Sequence, residues 1–278
     1  MYECYNIVMS SLIFIVIFLL GTIIGSFLNV VISRFNTGRT MVKGRSICMN
    51  CNKNLRWYEL IPVLSFLVQS GKCRRCKSSI STQYPIVELV TGLVFALIVF
   101  KFLPILFISS SFYIFYVVLY VFIFSLLIVI SVYDLRHKVI PDKLVYLFIA
   151  ISFISIFINP YMFGPIFVLP TLAALFSGPL FAVPFVLLWF FSKGRFMGLG
   201  DGKLVLGLGW MLGMTQGIFA IILAFWIGSI VGLFVLFLSK KKINMKTEIP
   251  FAPFLIAGAL IAFVFNLNIF SLIKFFSM

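Results

Sequence analysis

The chain has 278 residues, 63% of them hydrophobic and 10% charged, with a net charge of +15 and a mean hydropathy of +1.19. That composition excludes an ordinary soluble domain, and apolar stretches of about 20 residues imply membrane spans. The positive charge needs no nucleic acid to explain it, because its distribution is that of a polytopic protein orienting itself in a bilayer.

Spans are predicted near residues 8–32, 86–107, 112–133, 144–158, 166–192, 203–214, 216–238 and 251–273. The first is too long for a cleaved signal peptide, lacks a basic leading segment and is followed by no small-residue cleavage site. Within it Gly21-x-x-x-Gly25 makes a face on which another helix can approach closely.

Residues 33–84 are polar, basic and cysteine-bearing, unlike the rest of the chain. They hold Cys48-x-x-Cys51 and Cys73-x-x-Cys76, with 21 residues between the pairs. Two such knuckles can supply four thiolates to one tetrahedral ion. Four protein ligands leave no open position, so zinc bound there would be structural. Cys4 stands alone, and the chain shows no internal repeat.

Further along, Glu88 follows Tyr84-Pro85 and reads as a residue of a first helical turn. Asp134 ends an apolar run just before Arg136-His137-Lys138; a salt bridge there is the alternative to chemistry, and His137 is a candidate base that its basic turn disfavours. Asp142 follows Ile140-Pro141 and reads as a helix cap. Pro170, Pro179 and Pro184 are expected to bend or interrupt the 166–192 stretch.

Gly198-Leu199-Gly200-Asp201 opens the next apolar run. A carboxylate beside a membrane segment is costly and marks a functional site. The flanking glycines permit unusual backbone angles or a close neighbour. The stretch 203–214 is 12 residues long, about 18 Å of helix at 1.5 Å per residue, which is short of a hydrocarbon core. Asp201 is therefore expected below the membrane surface, in a wet cleft between helices. Glu3, Glu59 and Glu248 read as solvated charges.

Twenty of the 22 basic residues fall in 33–84, 134–143, 193–203 and 239–248; the other two are Lys101 and Lys274. With eight spans those four segments share one side. The positive-inside rule makes that side cytoplasmic and puts both termini outside. Asp134 and Asp201 then open on the same cytoplasmic face. Two carboxyls that meet share a proton; one can activate water while the other protonates the carbonyl oxygen or leaving amine. Signatures of serine hydrolases, zinc metalloproteases and nucleotide-driven pumps are lacking. The cytoplasmic placement of the cysteines disfavours disulfides.

Taken in order, these motifs resemble the type IV prepilin peptidases (leader peptidase and N-methyltransferase), membrane aspartic proteases of the GxGD type. The resemblance is carried by Gly25-Ser26-Phe27-Leu28-Asn29-Val30-Val31-Ile32 with Arg34, by Ser46 to Cys51, and by Trp57. Leu60-Ile61-Pro62-Val63-Leu64-Ser65, Gly71-Lys72-Cys73 and Tyr84-Pro85-Ile86-Val87-Glu88 continue it. Asp134 with Ile140-Pro141-Asp142, and Met197-Gly198-Leu199-Gly200-Asp201-Gly202-Lys203-Leu204, match the two active-site motifs. Ile249-Pro250-Phe251-Ala252-Pro253-Phe254 matches a late proline loop, with Ala252 where glycine is commoner.

The resemblance implies an all-α polytopic membrane protein of about eight transmembrane helices, with a small cytoplasmic four-cysteine zinc insert. Residues 1–32 and 85–278 would form the peptidase domain, and 33–84 an insert associated with methyl transfer. It implies Asp134 and Asp201 as the catalytic dyad, supported by Gly198, Gly200 and Lys203, and Cys48, Cys51, Cys73 and Cys76 as zinc ligands. The substrates would be prepilins or pseudopilins, cut at the cytoplasmic membrane face of a bacterium after the glycine that ends a basic leader. The new terminus would be methylated from S-adenosylmethionine, with Gly71, Lys72 and Glu59 as candidate contacts. Asn29 and Gly25 would support helix packing. The competing readings are a proton-coupled transporter using its carboxylates as a relay, and a zinc-bearing scaffold without chemistry.

Overall fold

The computed structural model describes residues 2–38, 40, 44–158, 167–195, 197–238 and 250–268. The basic stretch 239–248 with Glu248, Lys274, the end of the 251–273 stretch, and the side chains of Glu3 and Cys4 lie outside the described residues. Among the described residues the architecture is helical, with no strand and three isolated bridges. The chain divides into two compact units, Met1–Val129 and Ile130–Met278.

In the first unit, helix α1 (Tyr2–Arg34) packs on α3 (Gln83–Leu106). A methyl group added at Gly21 would lie 2.7 Å from the Cα of Gly92, and one at Gly25 would lie 2.8 Å from the Cα of Glu88. The small-residue face brings the two backbones together, as the sequence pattern indicates. Asn29 is buried at the end of this contact, where its Nδ2 donates to the Tyr84 carbonyl at 3.1 Å.

Between these helices lie a 3-10 turn (Trp57–Glu59) and the short α2 (Leu64–Val68). Glu88 is not in the first turn of α3. It is the sixth residue of the helix, is buried, and accepts the Val63 N–H at 2.8 Å. A buried carboxylate needs such a donor, and this one ties the insert to the helix pair.

In the second unit, α4 (Ser110–His137) delivers its last turns, followed by α5 (Asp142–Ser155), α6 (Leu172–Ser192), α7 (Leu199–Leu238) and α8 (Ala252–Val264). Helix α7 is the hub and packs on α5, α6 and α8. Its glycines admit the neighbours: a methyl at Gly207 would lie 2.5 Å from the Phe148 ring, and one at Gly209 would lie 2.7 Å from the Ser177 carbonyl. The Ser177 hydroxyl donates to the Gly209 carbonyl at 2.9 Å.

One backbone expectation changes. Pro179 and Pro184 lie inside α6, which runs through both, while Pro170 precedes the helix. Proline at 179 cannot donate to the Leu175 carbonyl one turn back. The Trp210 indole N–H takes that acceptor at 2.9 Å, so the bond is replaced from a neighbouring helix. Helix α7 is interrupted at Gly213, whose φ of +71° is non-helical and separates residues 199–212 from 214–238. That break falls where the sequence divides two apolar stretches.

Among the described residues, five helical segments are long and apolar enough to cross a membrane: Leu12–Arg34, Gln83–Leu106, Ser110–His137, Leu172–Ser192 and Leu199–Val235. Helices α5 and α8, at 14 and 13 residues, are shorter.

Replacing Gly25 by Val should force α1 and α3 apart and lower stability by about 1–3 kcal/mol. A reduced unfolding midpoint in detergent micelles is the expected result.

Candidate active site and metal centre

Asp134 lies in the last turn of α4 and is 4% exposed. It forms no salt bridge with Arg136, His137 or Lys138. Instead its carboxylate is hydrogen-bonded by the backbone of Ala252, the first residue of α8. No side chain caps that helix. Its free N–H groups and dipole therefore favour a negative charge at their end.

Asp201 is the third residue of α7 and is 8% exposed. Its N–H donates to the Gly198 carbonyl at 3.2 Å, and the Gly198 backbone in turn bonds its carboxylate. The other carboxylate oxygen, Oδ1, is buried without a protein partner. The two aspartates act on each other electrostatically, so the folding of the second unit has brought their carboxyls into one site.

The two segments that carry them are joined by three contacts. Gly200 has no left-handed φ; its role is the close neighbour, because a methyl there would lie 2.9 Å from the Cβ of Ile140. Lys203 Nζ meets Asp142 Oδ1 at 2.6 Å and sits 4.8 Å from the centre of the Tyr146 ring. The cap position of α5 is taken by Pro141, and Asp142 makes no capping bond. Its partner lies 61 residues away, which is why local pattern suggested only a cap. Tyr146 had no sequence signal beyond its place in an apolar helix. His137 is exposed, its ring tilted against that of Tyr133 with centroids 4.4 Å apart.

The four cysteines Cys48, Cys51, Cys73 and Cys76 bring their sulfurs within 4.8 Å of one another, with Cys48 Sγ to Cys76 Sγ at 3.8 Å. Thiolates about 2.3 Å from a tetrahedral ion stand about 3.8 Å apart. The cluster is thus positioned to hold a metal ion. Its two halves repeat at an offset of 25 residues, a repeat not recognised from the sequence. Cys48 N–H donates to Lys53 O as Cys73 N–H does to Ser78 O. Asn52 N–H donates to Cys48 O as Lys77 N–H does to Cys73 O, and Asn52 and Lys77 share the left-handed φ. The Ser78 hydroxyl and N–H pull the Cys76 thiol down to about 6, with the Asn50 amide adding to them. Backbone N–H groups of Cys51 and Asn50 lower Cys48.

The candidate cofactor contacts have local structural roles. Gly71 has a φ of +66° beside the Phe66 ring and pairs with Ile80. Lys72 belongs to an isolated bridge with Ser79. Glu59 accepts the Arg56 N–H at 2.8 Å.

Residues 19–102 match the model of the bacterial peptidase A24 N-terminal domain, and residues 121–233 match that of the type IV leader peptidase family. A Bacillus subtilis protein named prepilin leader peptidase/N-methyltransferase is 30% identical over 259 residues, 92% of this chain and 96% of that protein. One of the same name from Vibrio cholerae is 30% identical over 210 residues, 70% of this chain and 76% of that protein. A third, from Myxococcus xanthus, is 51% identical over 79 residues, only 28% of this chain and 24% of that protein. No solved structure matches the chain.

Two outcomes are expected from this geometry. In a double-mutant cycle of Asp142→Asn and Lys203→Met, the coupling read from unfolding midpoints should be about 0.5–1 kcal/mol, since the pair is partly exposed. Metal uptake by protein stripped with a chelator should weaken as pH is lowered, because each thiol must lose its proton to bind, with Cys76, drawn down to about 6, among the last to be protonated. Titration with a coloured metal ion measures this directly.

Proposed function

Because the chain belongs to the type IV leader peptidase family, we propose that it removes the leader peptide from prepilins or pseudopilins and N-methylates the residue left at the new terminus. It is a bacterial membrane enzyme, an aspartic endopeptidase with a second, methyl-transfer activity. Asp134 and Asp201 form its dyad. The observation that supports this reading most directly is the meeting of two buried carboxyls, one with a backbone donor and the other with a buried, unpartnered oxygen.

That asymmetry divides the labour. Asp134, held by the Ala252 N–H at the start of α8, carries the negative charge and takes a proton from the attacking water. Asp201 holds the shared proton and gives it to the scissile carbonyl oxygen as the carbon–oxygen bond to water forms. On collapse the carbon–nitrogen bond breaks, the leaving amine takes a proton from Asp134, and a hydroxyl of the tetrahedral diol returns its proton to Asp201 as the new carboxyl forms. Gly200 and the Asp142–Lys203 pair fix the spacing of the two segments. Gly198 steadies the Asp201 carboxylate.

Eight spans with both termini outside would place this dyad and the cysteine insert at the cytoplasmic face, where a basic leader remains after the apolar helix has entered the membrane. Zinc held by Cys48, Cys51, Cys73 and Cys76 would close the two knuckles into one fold. When bound, S-adenosylmethionine supplies the methyl group that the freed α-amine accepts. Gly71 and Glu59 are engaged in local structure and Lys72 pairs only through its backbone, so no binding residues are assigned to it. Nothing in the fold or among the relatives supports a transporter.

The test separates the two chemistries. Asp134→Asn and Asp201→Asn should each lower prepilin cleavage by roughly 10²–10⁴-fold and leave methylation of an already cleaved pilin intact. Wild-type cleavage by both variants would overturn the dyad. Replacing Cys73 and Cys76 by Ser should abolish metal binding and methylation of the cleaved pilin; retained methylation would detach that activity from the insert.

A further inference from the structure

Residues 57–68 of the insert turn an apolar surface outward. Trp57 is 78% exposed, Leu67 64% and Val68 70%, with Leu60, Ile61 and Leu64 also exposed. Six exposed large apolar side chains within 12 residues are unusual for a water-facing segment. Around them stand exposed cations: Arg56 and Arg74, both set over the Tyr58 ring at 5.9 and 5.2 Å, with Lys72 and Arg75. Between residues 33 and 84 the insert holds ten basic residues and a single acid, Glu59.

The depth of this surface is set by Glu88. That carboxylate sits five residues past the start of α3, about 7.5 Å along the helix at 1.5 Å per residue. It receives the N–H of Val63, a β-branched residue held at a φ of +61°. Left-handed φ is unfavourable for such a residue, so the turn is held by its surroundings. At the same level α1 and α3 expose Phe27, Ile86 and Leu89, side chains suited to lipid. The turn, and α2 immediately after it, are therefore drawn down to where the helices have already become apolar.

We propose that this face of the insert, Trp57 with Leu60, Leu64, Leu67 and Val68, lies in the headgroup–acyl interface of a bilayer, with Arg56, Arg74 and Lys72 on anionic headgroups. Indole and aliphatic side chains below a belt of cations are the chemistry of an interfacial anchor. The inference rests on the reading that α1 and α3 span the membrane, not on the peptidase dyad. An insert anchored at this face is held at fixed depth against the membrane plane in which a pilin terminus is presented.

The test uses the full chain in nanodiscs of phosphatidylcholine with phosphatidylglycerol. The emission of Trp57 is read as the difference between wild type and Trp57→Phe. It should be blue-shifted, quenched by lipids brominated near the carboxyl end of the acyl chain, and protected from aqueous acrylamide. Hydrogen exchange of residues 57–68 in the wild type should be slower with phosphatidylglycerol present than in phosphatidylcholine alone. Leu67→Ser with Val68→Ser should restore acrylamide access while the metal content stays unchanged. Emission typical of water-exposed indole, insensitive to brominated lipid, would overturn the anchor. Shielding that appears only on addition of a prepilin would also overturn it and make this a substrate surface. Prepilin cleavage, measured on the same samples, reports separately on the dyad.

Discussion

Burying a carboxylate among apolar helices costs more than any other feature of this chain, and the arrangement of both units follows from how that cost is met. Seven acidic residues occur in 278, and among the described residues Glu88, Asp134 and Asp201 are buried. Each is answered by backbone. Glu88 takes the Val63 N–H, Asp134 the start of α8, and Asp201 the turn at Gly198. Backbone donors suit the task because they are fixed by helices and carry no charge of their own to be desolvated. What they leave unanswered is Asp201 Oδ1, and that oxygen is where a shared proton can reside.

Glycine makes these approaches possible. Where lipid surrounds a helix bundle, close contact and not water expulsion drives association. Gly25 lets α1 reach the backbone at Glu88, Gly207 and Gly209 let α5 and α6 reach α7, and Gly200 lets Ile140 reach the turn beside Asp201. The last contact bears on chemistry, since it brings the end of one aspartate-bearing segment against the start of the other. The Asp142–Lys203 pair then crosses the same junction with a neutral sum of charge. Trp210 shows the converse rule: a carbonyl freed by Pro179 inside α6 is satisfied from α7, so the proline persists without breaking the helix.

The cysteine insert works differently. It has little apolar interior of its own, and its order comes from two matching knuckles whose hydrogen bonds repeat at a constant offset. Matching knuckles give a near-symmetric set of four sulfurs, which a tetrahedral ion requires. The repeat escaped the sequence because almost nothing but the cysteines is shared between Ile47–Asn54 and Lys72–Ser79; what repeats is backbone conformation, including the left-handed Asn52 and Lys77.

Much of this was legible in the residues themselves. Apolar length determines that these segments are helices, because twenty apolar residues have no other stable solution in lipid. Cysteine spacing determines the sulfur cluster, and the sparseness of carboxylates singles out Asp134 and Asp201. Local pattern could not determine partners far apart in the chain. It made Asp142 a cap when it belongs to Lys203, placed Glu88 in a first turn when it holds the insert down, and expected a bend or break at Pro179, whose freed acceptor another helix satisfies. Those outcomes depend on which backbone comes within hydrogen-bond reach once helices have packed, and only the tertiary structure decides that.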